Sequence, residues 1–250
     1  MKQKKIIVEN SVVSIVESSN FDPKKTLIFL HGWQQNALCF EKIFQILEEK
    51  NISFLSLDLP GFGGTPLVNK NWHIEDYGRF VIKIIQKLEI KKPILVGHSF
   101  GGRISIFIAS FYENIEKIIL IGSAGIKKKY NPFYFFTLKI AKYIFNIPLI
   151  TKIGEKVKNK LRTRDYKNSG VMKQIFLNAI GNDLQKYMLQ IKIPALLIWG
   201  EKDTETPINE AKIINEKIKN SSLKIIPLGT HFVYEEFPEE VAKYILNFIQ

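Results

Sequence analysis

The chain of 250 residues has one cysteine, Cys39, so no internal disulfide and no cysteine-built metal site can form within it. Arginine is nearly as scarce, at positions 79, 103, 162 and 164 only, so lysine carries almost all of the positive charge. Histidine occurs four times, as His31, His73, His98 and His231, which leaves few side chains able to exchange a proton near neutral pH. No apolar run reaches the roughly 18 to 20 residues that a membrane-crossing helix needs. The first residues, MKQKKIIVENSVVSIVE, start positive, but Glu9 and Asn10 break the apolar stretch and no small-residue cleavage site follows. They read as two strands rather than a targeting segment, and a cytoplasmic location is the expectation. Internal repeats and low-complexity segments are also missing.

What is present suits one large domain. Hydrophobic residues make up 46% of the chain and charged residues an ordinary 24%. The net charge of +12 is unevenly spread. Residues 127–190 hold 14 Lys or Arg against three acids, Glu155, Asp165 and Asp183, and the remainder is close to neutral. No nucleic-acid-binding motif accompanies this surplus, so it reads as compositional bias and solvated helix faces, with no nucleic-acid partner.

Short apolar runs alternate with amphipathic stretches. TLIFLHGW (26–33), ISFLSLD (52–58), KPILVGHS (92–99), EKIILIGSAG (116–125), IPALLIWGEKD (193–203) and SLKIIPLG (222–229) have the length and composition of strands. LCFEKIFQILEEK (38–50), IEDYGRFVIKIIQKLEI (74–90), GRISIFIASFYENI (102–115), PINEAKIINEKIKN (207–220) and PEEVAKYILNFIQ (238–250) have helical spacing. Such alternation predicts a mostly parallel sheet covered on both faces, with active groups at the carboxyl ends of its strands. From about 126 to 190 the pattern breaks into basic, aromatic, helical sequence that is too long for a simple loop and reads as an inserted cap.

One hydroxyl stands out. In ILVGHSFGG (94–102), Ser99 sits between glycines where a buried strand turns into a helix. Serine is a poor nucleophile alone and needs a base within hydrogen-bond reach, itself oriented by a third group. His98 is the neighbouring residue on the same turn, His31 ends a strand before Gly32, and His73 precedes a helix in a polar loop. His231 follows the last strand, at the same edge as Ser99, and is the base by elimination. Glu201, Asp203 and Glu205, after the strand at 195–199, are the candidate orienting acids. Backbone N–H groups of Phe100 and of Trp33, in the loop after the strand at 26–31, are the expected donors to an oxyanion. The glycines of DLPGFGGT (58–65) are followed by no P-loop lysine, so this segment reads as a structural loop rather than a phosphate cradle.

These segments, in this order, resemble the α/β-hydrolase superfamily over nearly the whole chain. HGW resembles its oxyanion loop, DLPGFGGT its D-x-x-G-x-G-x-[ST] loop, and GHSFGG its G-x-S-x-G nucleophile elbow. WGEKDTETP resembles the segment carrying the acid and GTHFVYEEFPEEV the one carrying the histidine. The resemblance therefore picks Asp203 among the three acids and keeps His231. It implies a mostly parallel eight-stranded sheet with helices on both faces, a core of residues 1–125 and 191–250, and a helical cap over 126–190. It also implies that neither metal nor organic cofactor is needed.

The same resemblance narrows the chemistry. Haloalkane dehalogenases and epoxide hydrolases of the superfamily carry Asp where this chain has Ser99. The meta-cleavage C–C hydrolases usually read G-N-S and G-H-W where this chain has His98 and Phe232. HGW is similar to the loop of small bacterial carboxylesterases, so the expected substrate is a small or medium-size apolar ester. A lactone, a C–C bond substrate and a non-catalytic binding role on the same scaffold are the alternatives. Phe133, Phe136 and Phe232 are the expected substrate-binding residues. The aromatic residues of the insertion, interleaved with Lys139 and Lys142, also allow weak contact with an anionic membrane surface. Nothing in the sequence signals an oligomeric state.

Overall fold

The computed structural model describes residues 1–127 and 169–250. Their core is one sheet of eight strands: β1 (Lys2–Val8), β2 (Ser11–Glu17), β3 (Leu27–Leu30), β4 (Phe54–Leu57), β5 (Ile94–His98), β6 (Lys117–Ile121), β7 (Ala195–Gly200) and β8 (Ser221–Ile226). The order across the sheet is β1-β2-β4-β3-β5-β6-β7-β8. Strand β2 runs antiparallel to both its neighbours, and every pair from β4 to β8 is parallel.

The central strands are apolar at consecutive positions because both faces are covered. Leu95, Ile118, Leu120 and Leu197 enter a cluster with Tyr77, Val81, Ile104 and Ile108 on one face. Their sequence neighbours Ile94, Val96, Ile119 and Ile198 enter the opposite cluster with Phe44, Leu47, Val241 and Ile245. The first face is covered by helices α2 (Ile74–Lys87) and α3 (Phe100–Phe111), with α6 (Ile208–Lys217) beside them. The second is covered by α1 (Glu41–Glu49) and α8 (Pro238–Ile249). A four-residue helix, α7 (Val233–Glu236), and a 3-10 turn, Ala37–Phe40, lie near the carboxyl end of the sheet.

Before β7, the chain passes through α4 (Lys173–Gly181) and α5 (Gln185–Met188). Polar bonds fix this return. Asn182 Nδ2 and Tyr187 Oη both donate to Glu75 Oε1 at 3.0 Å, at the start of α2. The buried guanidinium of Arg103 donates to the Asn182 carbonyl at 3.0 Å. The Leu184 N–H donates to the Gly125 carbonyl at 2.9 Å, so the chain returns to the point it left. Phe133 and Phe136, together with Lys139 and Lys142, lie outside the described residues. No described helix is long and apolar enough to cross a membrane.

Candidate active site

Ser99 links β5 to α3 with φ 48° and ψ −104°, a conformation that L-residues rarely adopt and that marks strain held by its surroundings. The surroundings are close backbone. A Cβ on Gly101 would fall inside contact distance of the Leu30 carbonyl oxygen, and one on Gly97 would lie 2.6 Å from the Gly101 carbonyl oxygen. Glycine at both positions lets α3 start directly against β3. The turn is then locked by three bonds of 3.2 Å: Ser99 N–H to the Ile121 carbonyl, and the Arg103 and Ala124 N–H groups to the Ser99 carbonyl. The Ser99 hydroxyl makes no hydrogen bond among the described residues, so its proton is uncommitted.

Asp203 and His231 come together across the ends of β7 and β8. His231 Nδ1 donates to Asp203 Oδ2 at 2.8 Å, both residues being buried. The same Asp203 oxygen accepts from the Thr206 hydroxyl at 2.8 Å, and Oδ1 accepts from the Glu205 and Thr206 N–H groups at 2.9 Å each. Four donors thus surround a buried carboxylate, which is what keeps its charge tolerable. Trp199 Nε1 donates to the Thr206 carbonyl at 2.7 Å and anchors the loop to β7. Gly122, with φ 48°, leaves room for the pair, since a Cβ there would lie 3.3 Å from both Asp203 Oδ2 and His231 Nδ1. Glu201 and Glu205, the other acids of this segment, are exposed.

The loop after β3 is held by His31. Its Nδ1 donates to the Gly32 carbonyl at 2.7 Å and its Nε2 accepts from the Leu59 N–H at 3.0 Å, which together fix a neutral tautomer. Complete burial lowers its pKa to about 4. Asp58 supports the same region: its two oxygens accept from the Ala37 and Gly64 N–H groups at 2.6 Å each. The D-x-x-G-x-G segment is therefore a brace between two loops. The Gly101 N–H is taken by the His31 carbonyl at 3.0 Å. Among the described residues the N–H groups of Phe100, at the first position of α3, and of Trp33 have no acceptor.

Aromatic rings surround these groups. The Trp33 indole packs on Phe62, Phe100 and Phe176, with ring centroids 5.0, 5.3 and 5.1 Å away. Phe232 is 42% exposed and packs on the rings of His98 and His231. Sequence reasoning missed Phe62, Phe176 and Thr206. Phe62 had a signal, its place among the glycines of 61–64, whereas Phe176 reaches the site only through the fold of α4. No group of three or more His, Cys, Asp or Glu that could hold a metal occurs among the described residues.

An uncommitted serine hydroxyl on a strained turn, a buried His–Asp pair and two free backbone donors at one edge of a sheet can support acyl transfer. The chain belongs to the α/β-hydrolase superfamily, in the family described as serine aminopeptidase, S33, which it matches over residues 22–237. It is 29% identical over 248 residues to the uncharacterized hydrolase YugF of Bacillus subtilis (strain 168), across 91% of this chain and 90% of that protein. It is 32% identical over 253 residues to the pimeloyl-(acyl-carrier protein) methyl ester esterase of Wigglesworthia glossinidia brevipalpis, across 90% of this chain and 93% of that one. Among solved structures it superposes on an esterase of Exiguobacterium antarcticum with a TM-score of 0.77 at 18% identity, covering 99% of both chains, a likeness of fold.

Proposed function

We propose that this hydrolase cleaves carboxylic esters of small or medium-size apolar substrates through an acyl-enzyme on Ser99. Two observations carry the reading: Ser99 held at φ 48° on the turn after β5, and the buried His231–Asp203 hydrogen bond. Ser99 Oγ attacks the ester carbonyl while His231 Nε2 takes its proton. Asp203 keeps the His231 N–H on Nδ1 and stabilises the imidazolium. The N–H groups of Phe100 and Trp33 stabilise the oxyanion, a contribution of about 3 kcal/mol per donor in comparable sites. His231 protonates the departing alcohol, then activates the water that releases the acid and restores Ser99. Trp33, Phe62, Phe176 and Phe232 give the acyl group an apolar surround, and the segment of residues 126–190 acts as the lid. The esterase name of the Wigglesworthia glossinidia brevipalpis relative supports the ester class.

The test is hydrolysis of p-nitrophenyl esters from acetate to palmitate by the wild type and by Ser99→Ala, with fluorophosphonate labelling alongside. The expected result is turnover that falls at least about 1,000-fold in a folded Ser99→Ala variant, with the label on Ser99. Equal turnover in the two proteins would remove the serine mechanism. Hydrolysis of aminoacyl p-nitroanilides without ester turnover would replace the ester by an amide. Neither turnover nor labelling would favour a binding protein on the same scaffold.

A further inference from the structure

His98, the last residue of β5, is 1% exposed and takes no part in the chemistry described above. Its ring lies between two loops that are far apart in sequence. Nδ1 is 3.0 Å from Gln35 Oε1, and Nε2 is 3.0 Å from the carbonyl oxygen of His231. Gln35 Oε1 also accepts the Gly32 N–H at 2.9 Å, and Gln35 Nε2 donates to the Tyr234 hydroxyl. One imidazole therefore spans from the loop carrying Trp33 to the backbone of the proposed base. Packing closes the arrangement. The rings of His231 and Tyr234 lie 4.7 Å from that of His98, and a Cβ on Gly32 would come within 2.7 Å of His98 Nδ1.

The protons in this bridge do not add up. Two oxygens face the two ring nitrogens, and a neutral imidazole has one N–H. With the proton on Nδ1, the buried His231 carbonyl has no donor among the described residues. With it on Nε2, a lone pair faces Gln35 Oε1. Turning the Gln35 amide over satisfies Nδ1 but sets amide nitrogen against the Gly32 N–H. An imidazolium would satisfy every atom, yet complete burial holds the pKa of this ring well below 6.5. Each neutral arrangement leaves one polar atom short, so a shift in either loop changes what the ring offers the other.

We propose that His98 is a positioning residue that couples the Gly32–Gln35 loop to the His231 loop through its ring and the Gln35 amide. The proposal rests on the serine reading above, since it assigns Trp33 and His231 to opposite ends of the bridge. The consequence is mutual dependence: the oxyanion donor and the base are set at one distance by one shared strut.

A double-mutant cycle tests it, read as the rate of Ser99 modification by a fluorophosphonate in protein verified as folded by thermal unfolding. His98→Leu and Gln35→Met are each expected to slow modification on the order of tenfold or more, through the maximal rate rather than reagent affinity. The double variant is expected to be no slower than the slower single one. His98→Gln, which keeps a donor and an acceptor, is expected to recover much of the loss and replaces His98→Leu in the cycle if the latter does not fold. Single effects that multiply in the double variant, or variants that react like the wild type, would overturn the coupling and leave the serine reading standing. A wild-type protein that takes no label at Ser99 would overturn both.

Discussion

Thr206 shows how much of a site rests on side chains that do no chemistry themselves. Its hydroxyl lies 2.8 Å from Asp203 Oδ2 and 3.1 Å from the Gly122 carbonyl, and its own N–H holds the other carboxylate oxygen. Thr206→Val keeps the shape and the backbone bond but removes one donor to a buried charge. It is expected to lower stability by about 1 to 2 kcal/mol and kcat/KM roughly tenfold at unchanged KM, with Thr206→Ser restoring both. Urea unfolding and ester kinetics on the three proteins check this. Strand ends and glycines frame Ser99, His231 and the acids Glu201, Asp203 and Glu205, so position along the chain already says which edge of the sheet they share, and only the resemblance picks Asp203 among the three. The sequence was silent on Thr206 and Gln35. Their roles depend on which atoms the folded loops bring within 3 Å, and a threonine or glutamine in a polar loop has no pattern that announces this.

At the level of elements, the unit that matters is β5, the turn at Ser99 and α3. Its geometry depends on backbone meeting backbone where Gly101 approaches Leu30. Gly101→Ala would push a methyl group into the Leu30 carbonyl and lift α3 off the sheet. The expected result is a loss of about 3 kcal/mol or more, seen as a collapse of the thermal midpoint, whereas Gly181→Ala, where a Cβ meets nothing within 4 Å, should leave it in place. The strands were legible as short continuous apolar runs and the long helices by their apolar period, down to α2 and α8. Boundaries were less so. Helix α3 begins at Phe100, two residues before its periodic stretch, because the tight turn rather than apolar spacing sets its start. The short helix α7 was unforeseen: four residues are too few to show a period.

For the molecule as a whole, the buried histidines set the response to acid. His31 has its pKa lowered to about 4 by burial, while in the unfolded chain it titrates near 6.5. The unfolded chain therefore binds a proton first as pH falls. The stability that neutral His31 contributes is complete above pH 6.5 and is lost between there and pH 4, roughly 2 kcal/mol of it by pH 5 and about 3 kcal/mol in all. His98, shifted in the same direction by burial, adds to the slope. Unfolding free energies from urea titrations at pH 7.5 and 5.0 are expected to differ by about 2 kcal/mol or more, and equal values would contradict the buried neutral rings. The fold class was readable at this scale from the alternation of runs, whereas the polar anchors of Asn182, Tyr187 and Arg103 were not, since they join positions up to 112 residues apart. A backbone closure in the same region reaches beyond stability. Leu184 returns to within a hydrogen bond of Gly125, so the two ends of the intervening stretch are already joined. Loop-closure entropy grows only slowly with length, so a change of length between these two points that keeps α4 and the Asn182 anchors costs little in closure. On the proposed reading, Gly125 and Leu184 form a socket in a chassis, and exchanges between them are expected to change substrate range while the reacting groups stay on the frame.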